Sequence, residues 1–236
     1  MTEAPEARPA STVVLLRDTP EGLQTLLLKR NKALLFAGGL WVFPGGAVDP
    51  EDMDAAGGDT LLASRLAAAR EAMEEAGLSP RLDDMVLLSH WTTPLVEPKR
   101  FSTWIYAAPL DADDEVVIDG GEIHEARWVT VRQAVLEHES GELGILPPTY
   151  ITLRTLAAYD TVASMLSEQR TSVSPEVFPV FAQGTELPTV MFRGDAGYDN
   201  GDVNMQGPRH RSVLHEKHWN YIYSDVDAAY PRLAPV

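Results

Sequence analysis

The 236-residue sequence contains no cysteine. Disulfides, thiolate metal centres and cysteine nucleophiles are therefore excluded. No uninterrupted apolar run approaches the roughly 18 residues of a membrane span. The opening stretch, MTEAPEARPAS, is acidic and proline-bearing and lacks the apolar core of a secretory signal. A cytoplasmic chain without membrane insertion is the default expectation. Positive charge is scarce too: 19 Lys and Arg stand against 35 Asp and Glu, a formal net charge of −16. Such a field works against binding to nucleic acid or anionic lipid. If the substrate is a phosphate compound, local cations or a bound divalent metal must supply the attraction.

What is present is ordinary for a globular protein, with 44% apolar and 23% charged residues. The length suits one domain, or one domain with an extension. Two apolar runs, Thr12 to Arg17 and Leu23 to Arg30, flank the turn-rich DTPEG and read as strands. FAGGLWVFPGGAVDP reads as a glycine- and proline-bearing loop, with a brief strand at Trp41 to Phe43, and EDMDAAGGD continues it as a polar stretch. A helix is predicted over about Leu61 to Ala76, with Asp59 or Thr60 as N-cap and Gly77 as left-handed C-terminal cap. Further strands are expected near Val86 to Thr92, Phe101 to Ala108 and Ala126 to Val129. A short helix is expected over Val131 to His138 and one long helix over Thr149 to Gln169. From about Ser172 the pattern weakens, with β-like pieces at VFPVFA and PTVMF. The fold class is α/β or α+β.

The stretch REAMEEAGL concentrates chemistry. At 100° per residue, Leu62, Leu66, Ala69 and Met73 share one side of the helix, which is expected to pack on the sheet. Glu71, Glu74 and Glu75 cluster roughly opposite. A solvated acidic face has the same pattern, since exposed like-charge pairs cost only about 0.2–0.5 kcal/mol each. In a cleft of effective dielectric about 20, carboxylates roughly 6 Å apart repel by about 3 kcal/mol per pair. The cluster therefore signifies a cation only if it lines a cleft.

FPGGAVDPED followed by a helix ending REAMEEAGL resembles the Nudix box. Arg70, Glu71, Ala72, Glu74, Glu75, Gly77 and Leu78 match its second half at every fixed position, and Gly46 matches its opening glycine. Asp52 stands where the family usually has Glu. From Asp52 to Arg70 is 70 − 52 = 18 positions against 8 in the usual pattern, so ten extra residues interrupt the box. The resemblance implies an α/β/α sandwich with a mixed sheet over residues 1–170, leaving 171–236 as a C-terminal extension that packs on this core or on a second subunit. It implies hydrolysis of a nucleoside diphosphate derivative with Mg²⁺ or Mn²⁺, because hard dications neutralise the phosphoanhydride and acidify bound water.

By the same resemblance, Glu74 and Glu75 are the principal metal ligands, Glu71 ligates or orients water, and the Gly46 carbonyl is a further ligand. Arg70 braces the glutamates. Members often draw a general base or added ligand from a loop after the box, and GGEIHEARW offers Glu122 and Glu125. Lys29 and Arg30 at the end of one strand, with Lys99 and Arg100 at the start of another, are candidate cations for an anionic substrate, or else strand-end solubilising charges. Trp91 and Trp104 could stack on a base or belong to the core. HEKH at 215–218 has no partner ligands in view and reads as a surface loop.

The interrupted box, GLWVFPGGAVD, WTTPLVEPKRFSTWIYAA and LPPTYITLRTLAAY are together similar to the branch that includes acyl-coenzyme A diphosphatases. Pro94, 16 positions past the box, is similar in placement to the proline of ADP-ribose pyrophosphatases. The competing readings are a nucleotide-sensing Nudix module without catalysis, and a dimerising interaction protein whose working part is the C-terminal region. A small-molecule nucleotide partner and a possible homodimer complete the expectations.

Overall fold

The computed structural model describes residues 5–33, 37–111 and 114–235. Strands β1 (Arg8–Thr19) and β2 (Gly22–Arg30) pair antiparallel across a tight turn, where Thr19 opposes Gly22. Val13 to Leu16 are completely buried. Such a run arises where a strand is covered on both faces. After β3 (Trp41–Val42) and β4 (Gly45–Ala47) come helices α1 (Pro50–Ala55) and α2 (Thr60–Ala76). Strands β5 (Val86–Thr92), β6 (Phe101–Pro109) and β7 (Ile123–Thr130) follow, then helices α3 (Val131–Glu139), α4 (Pro147–Leu156) and α5 (Val162–Gln169). The chain ends in short strands β8 (Glu176–Val177), β9 (Val180–Phe181) and β10 (Thr189–Met191) and the hairpin β11 (Arg209–His215) and β12 (His218–Ser224).

The main sheet has the order β3-β2-β1-β6-β5-β8, with β4 added to β1 and β7 to β2. It is mixed: β1 runs parallel to β6 and antiparallel to β2 and β4. One face packs on α2 through Val13, Leu15, Leu26, Leu28, Tyr106 and Ile123. The other faces α3, α4, α5 and the second sheet through Val14, Leu16, Leu27, Trp91, Tyr150 and Trp219. The expected α/β class with a mixed sheet is thus found.

Four local expectations need correction. The side of α2 that meets the sheet is not the Leu62–Leu66–Ala69–Met73 stripe. Leu62 and Met73 are 39% and 47% exposed, while Ala63, Ser64, Ala67, Ala68, Ala72 and Ala76 are buried. Hydropathy weights pointed to the larger side chains, but small ones let the helix approach the sheet closely. Residues 51–59 are not all loop: Asp49 and Asp52 form a capping box, Pro50 sits in the first turn, and α1 results. The segment read as loop also contains β4.

The long helix over 149–169 is two helices. Thr161 caps α5 by accepting the Ser164 N–H at 3.1 Å, and Asp18 accepts the Val162 N–H at 2.9 Å. These caps start α5 after α4 has ended at Leu156, although the apolar period continues across the break.

The second sheet, β12-β11-β10-β9, has Asp195 and Arg211 at its heart. The Arg211 Nε and Nη2 donate to the two Asp195 oxygens at 2.7 and 2.6 Å, and the Gly197 and His210 N–H groups donate to the same carboxylate. This layer is tied to the rest of the fold. The Trp219 N–H donates to His138 Nε2 at 2.8 Å, its indole N–H to the Ile145 carbonyl at 3.1 Å, and the Thr155 hydroxyl to the Leu233 carbonyl. HEKH is the tip of the β11–β12 hairpin. Among the described residues no helix is long and apolar enough to cross a membrane.

Candidate active site

The site is built where β4 meets α2. The Asp59 side chain accepts the Leu62 N–H at 2.9 Å to start the helix, and Gly77, at φ +70°, ends it. Both caps stand where the residue pattern puts them. Strand β4 lies beside β1, with Gly46 opposite Ser11 and Gly45 opposite Thr12. A β-carbon on Gly46 would fall 2.2 Å from Oε1 of Glu71, and one on Gly45 would fall 2.1 Å from the Thr12 hydroxyl. Glycine at 45 lets β4 lie this close to the β1 backbone, and glycine at 46 leaves room for the Glu71 carboxylate. In return the Gly45 N–H donates to Glu75 Oε2 at 3.0 Å, and Glu75 is only 6% exposed. The three glutamates do not form one solvated face: Glu75 is buried, Glu71 is wedged against Gly46, and Glu74 alone is well exposed.

Arg70 gathers four carboxylates. Its Nη1 donates to Glu71 at 2.9 Å and to Glu74 at 3.3 Å. Its Nη2 donates to Asp52 Oδ2 and to the Ala47 carbonyl, each at 2.9 Å, and Nε reaches Asp52 Oδ1. Asp49 lies 3.4 Å away. Asp52, buried at the start of α1, therefore grips the box arginine from the far side of the ten-residue interruption. Its hydrogen bond is the foremost reason that the guanidinium holds its proton even more tightly than usual.

On the other flank Arg30 Nη1 lies 3.8 Å from Glu75, and Nη2 donates to Glu122 at 3.1 Å. Six carboxylates (Asp49, Asp52, Glu71, Glu74, Glu75, Glu122) thus share two guanidiniums, a formal charge of 2 − 6 = −4. Protonation responds to this imbalance. Burial foremost, reinforced by Glu71 and Glu122 against the pull of the Gly45 N–H and Arg30, pushes the Glu75 carboxyl up to about 8. Glu71 is also raised, by burial first and then by Glu74 and Asp49, with Arg70 opposing.

The pairing register sorts the remaining candidates. Lys29 opposes Glu125, and a bulge then brings Arg30 opposite Ile123. Side chains alternate along a strand, so Arg30 joins the α2 face while Lys29 points to the opposite one. There Lys29 pairs with Glu125 at 3.2 Å and lies 5.2 Å from the Trp41 ring, part of the other core. Glu122 therefore meets the box and Glu125 does not. Lys99 rests over the Phe101 ring at 5.3 Å, and Arg100 donates to the Thr93 and Pro5 carbonyls. Neither is drawn into the carboxylate cluster. Trp91 is buried in the core; Trp104 is half-buried and stacks on His90 at 4.5 Å. Asp49 was not singled out in the sequence, although its place before Pro50 carries a capping signal.

The donor set is all oxygen, without sulfur or imidazole, and suits a hard dication such as Mg²⁺ or Mn²⁺. Glu71, Glu75 and the backbone of Gly45–Gly46 fit such an ion in chemistry and proximity. Among the described residues no three acidic or histidine side chains are already arranged around a metal position. Their oxygens are instead turned onto Arg70 and Arg30.

Comparison with known proteins agrees with the geometry. Residues 7–147 match the NUDIX domain model, 141 of the 236 residues. A Caenorhabditis elegans protein named nudix hydrolase 7 is 25% identical over 243 aligned positions, covering 87% of this chain and 79% of that one. The crystal structure of a NUDIX hydrolase from Alicyclobacillus acidocaldarius superposes with a TM-score of 0.64 at 24% identity, over 72% of this chain and 97% of that one. Nudix hydrolases generally split pyrophosphate linkages of nucleoside diphosphate derivatives and generally need a divalent metal. The protein belongs to this family and is a Nudix pyrophosphohydrolase.

Proposed function

We propose that this enzyme cleaves the pyrophosphate of a nucleoside diphosphate derivative with Mg²⁺ or Mn²⁺ held by Glu71, Glu74, Glu75 and the Gly46 carbonyl. The supporting observation is the cluster of six carboxylates against two guanidiniums, built beside a strand whose Gly46 leaves room for the Glu71 carboxylate. When bound, the metal supplies charge neutralisation and an acidified water. The protein's own groups do the rest. Glu122, on the same face as Glu75, accepts the proton of the attacking water as oxygen bonds to phosphorus and the bridging P–O bond breaks. Arg30, between Glu75 and Glu122, is placed to pair with the phosphate charge. Arg70 stays on Asp52 and holds Glu71 and Glu74 in place.

The interrupted box favours coenzyme A and acyl-coenzyme A as substrates, and Pro94 favours ADP-ribose. Incubating these, NADH, a nucleoside triphosphate and a diadenosine polyphosphate with Mg²⁺ or Mn²⁺, and reading products by phosphorus NMR, tests the proposal. One diphosphate derivative should be hydrolysed at least tenfold faster than the rest. Cleavage of none, together with no manganese uptake by calorimetry, overturns it.

A further inference from the structure

The segment that carries Glu122 is tied down at both of its own ends, beside the C-terminal turn of the box helix. At one end the Val117 N–H donates to the Ala76 carbonyl at 2.9 Å, and a β-carbon on Gly77 would meet Val117 at 3.2 Å. Gly77 therefore does more than end the helix: it lets residues 116–118 cross closely over its C-terminus. Val116 and Ile118 pack against the core under α2. At the other end the Asn31 N–H donates to the Glu122 carbonyl at 2.8 Å, and the Glu122 side chain reaches Arg30 beside Glu75.

Asp119 closes the turn between these anchors. Its Oδ2 accepts the N–H groups of Gly121 and Glu122 at 3.1 and 2.8 Å, and its Oδ1 accepts that of Ile123 at 3.0 Å. The slight burial of the carboxyl opposes ionisation, but these N–H groups outweigh it and keep the carboxyl below the usual aspartate range. Gly120 takes φ +72°, so the turn depends on glycine as well as on the carboxylate. The backbone of Glu122 is thus fixed by two hydrogen bonds, one from its own N–H and one to its carbonyl. Its side chain is left free to face the box.

We infer that Asp119 is a positioning residue for the reaction, holding Glu122 against the Arg30–Glu75 flank of the site. It touches no substrate and acts through Glu122. The inference rests on the proposed role of Glu122, and a variant cycle separates the two. Displacing a reacting group by about 1 Å can cost ~10²-fold, so Asp119→Ala should lower kcat by roughly ten- to a hundredfold. KM should change little. Asp119→Asn keeps one acceptor oxygen and loses the other, so it should recover much of the loss.

The rates are measured for wild type, D119A, D119N, E122Q and D119A/E122Q on the fastest substrate of the panel above. If Asp119 works through Glu122, D119A adds no further loss in the E122Q background, and the acidic limb of the pH–rate profile, where a general base is protonated, is altered in both single variants. E122Q impaired with D119A at wild-type kcat overturns the positioning role and leaves that of Glu122 standing. E122Q at wild-type kcat overturns both. Equal extra loss from D119A in either background also overturns the inference, by showing that Asp119 acts elsewhere. If D119A fails to fold, D119N and D119N/E122Q complete the same cycle.

Discussion

Arg70 and Arg211 both grip aspartates, with opposite electrostatic outcomes. Around Arg211 a single carboxylate, Asp195, is buried and saturated by one guanidinium and two backbone N–H groups. Burial pushes its pKa up, but the Arg211 bond and those N–H groups outweigh it and leave Asp195 below its ordinary value. Around Arg70 and Arg30 carboxylates outnumber cations, and burial first, then the neighbouring carboxylates, drives Glu71 and Glu75 upward. The first assembly is complete by itself; the second still needs positive charge. That difference, rather than the number of acidic residues, separates a structural ion pair from the proposed reactive site.

The sharpest way to break the comparison is to neutralise one member of each. Glu75→Gln keeps an oxygen for the Gly45 N–H but removes the charge. It should cut turnover by about 10³-fold, about 4 kcal/mol of barrier, with an unfolding midpoint unchanged or raised. Asp195→Asn should do the reverse, costing about 3 kcal/mol of stability as a broken buried ion pair. Its turnover per folded molecule should stay near wild type. Denaturant unfolding alongside steady-state kinetics reads both, and an E75Q enzyme of wild-type turnover would remove the site assignment.

The pH dependence of stability sharpens the same contrast. Glu75 has a folded pKa raised from 4.5 to about 8, so its contribution is present at low pH and fades as pH rises through that interval. Asp195 has a folded pKa below 3.8, so its contribution is present above that value and fades as acid is added. In EDTA, the unfolding midpoint of E75Q should decline less than that of wild type between about pH 5 and 8. D195N should be less acid-sensitive than wild type below about pH 4. Identical profiles would show that these environments do not differ. The smallest effect is expected at Glu125→Gln. Its exposed pair with Lys29 on the far face is worth about 0–1 kcal/mol, and phosphate release should match wild type.

Much of the site could be read from the residues alone because its determinants are local. Asp59 and Gly77 bound α2 by cap chemistry, and β5 spans the predicted Val86 to Thr92. What could not be read depends on pairing between distant segments. Which of Lys29 and Arg30 meets Glu75 depends on which face of β2 lies under α2, and the bulge opposite them, where β7 steps from Glu125 to Ile123, is visible only once the strands are paired. The same register separates Glu122 from Glu125. Alanines make the buried side of α2, packing on large side chains of β1, β2 and β6, a fit that hydropathy does not encode. Of the second sheet, the short strands β9 and β10 fall within VFPVFA and PTVMF, whereas the seven-residue β11 and β12 went unread, and their hairpin tip, HEKH, resembles any polar loop.

Trp219 has a practical bearing on how the protein can be handled. Its main-chain N–H bonds His138 and its indole bonds Ile145, both inside the stretch that matches the family, while Phe192 packs edge-on to Trp91 at 5.8 Å. A gene trimmed at residue 147 or 170 would strip cover from Trp91 and His138 and encode a sticky polypeptide prone to inclusion bodies. Silence from such a fragment in an assay would report on its missing roof, not on its glutamates.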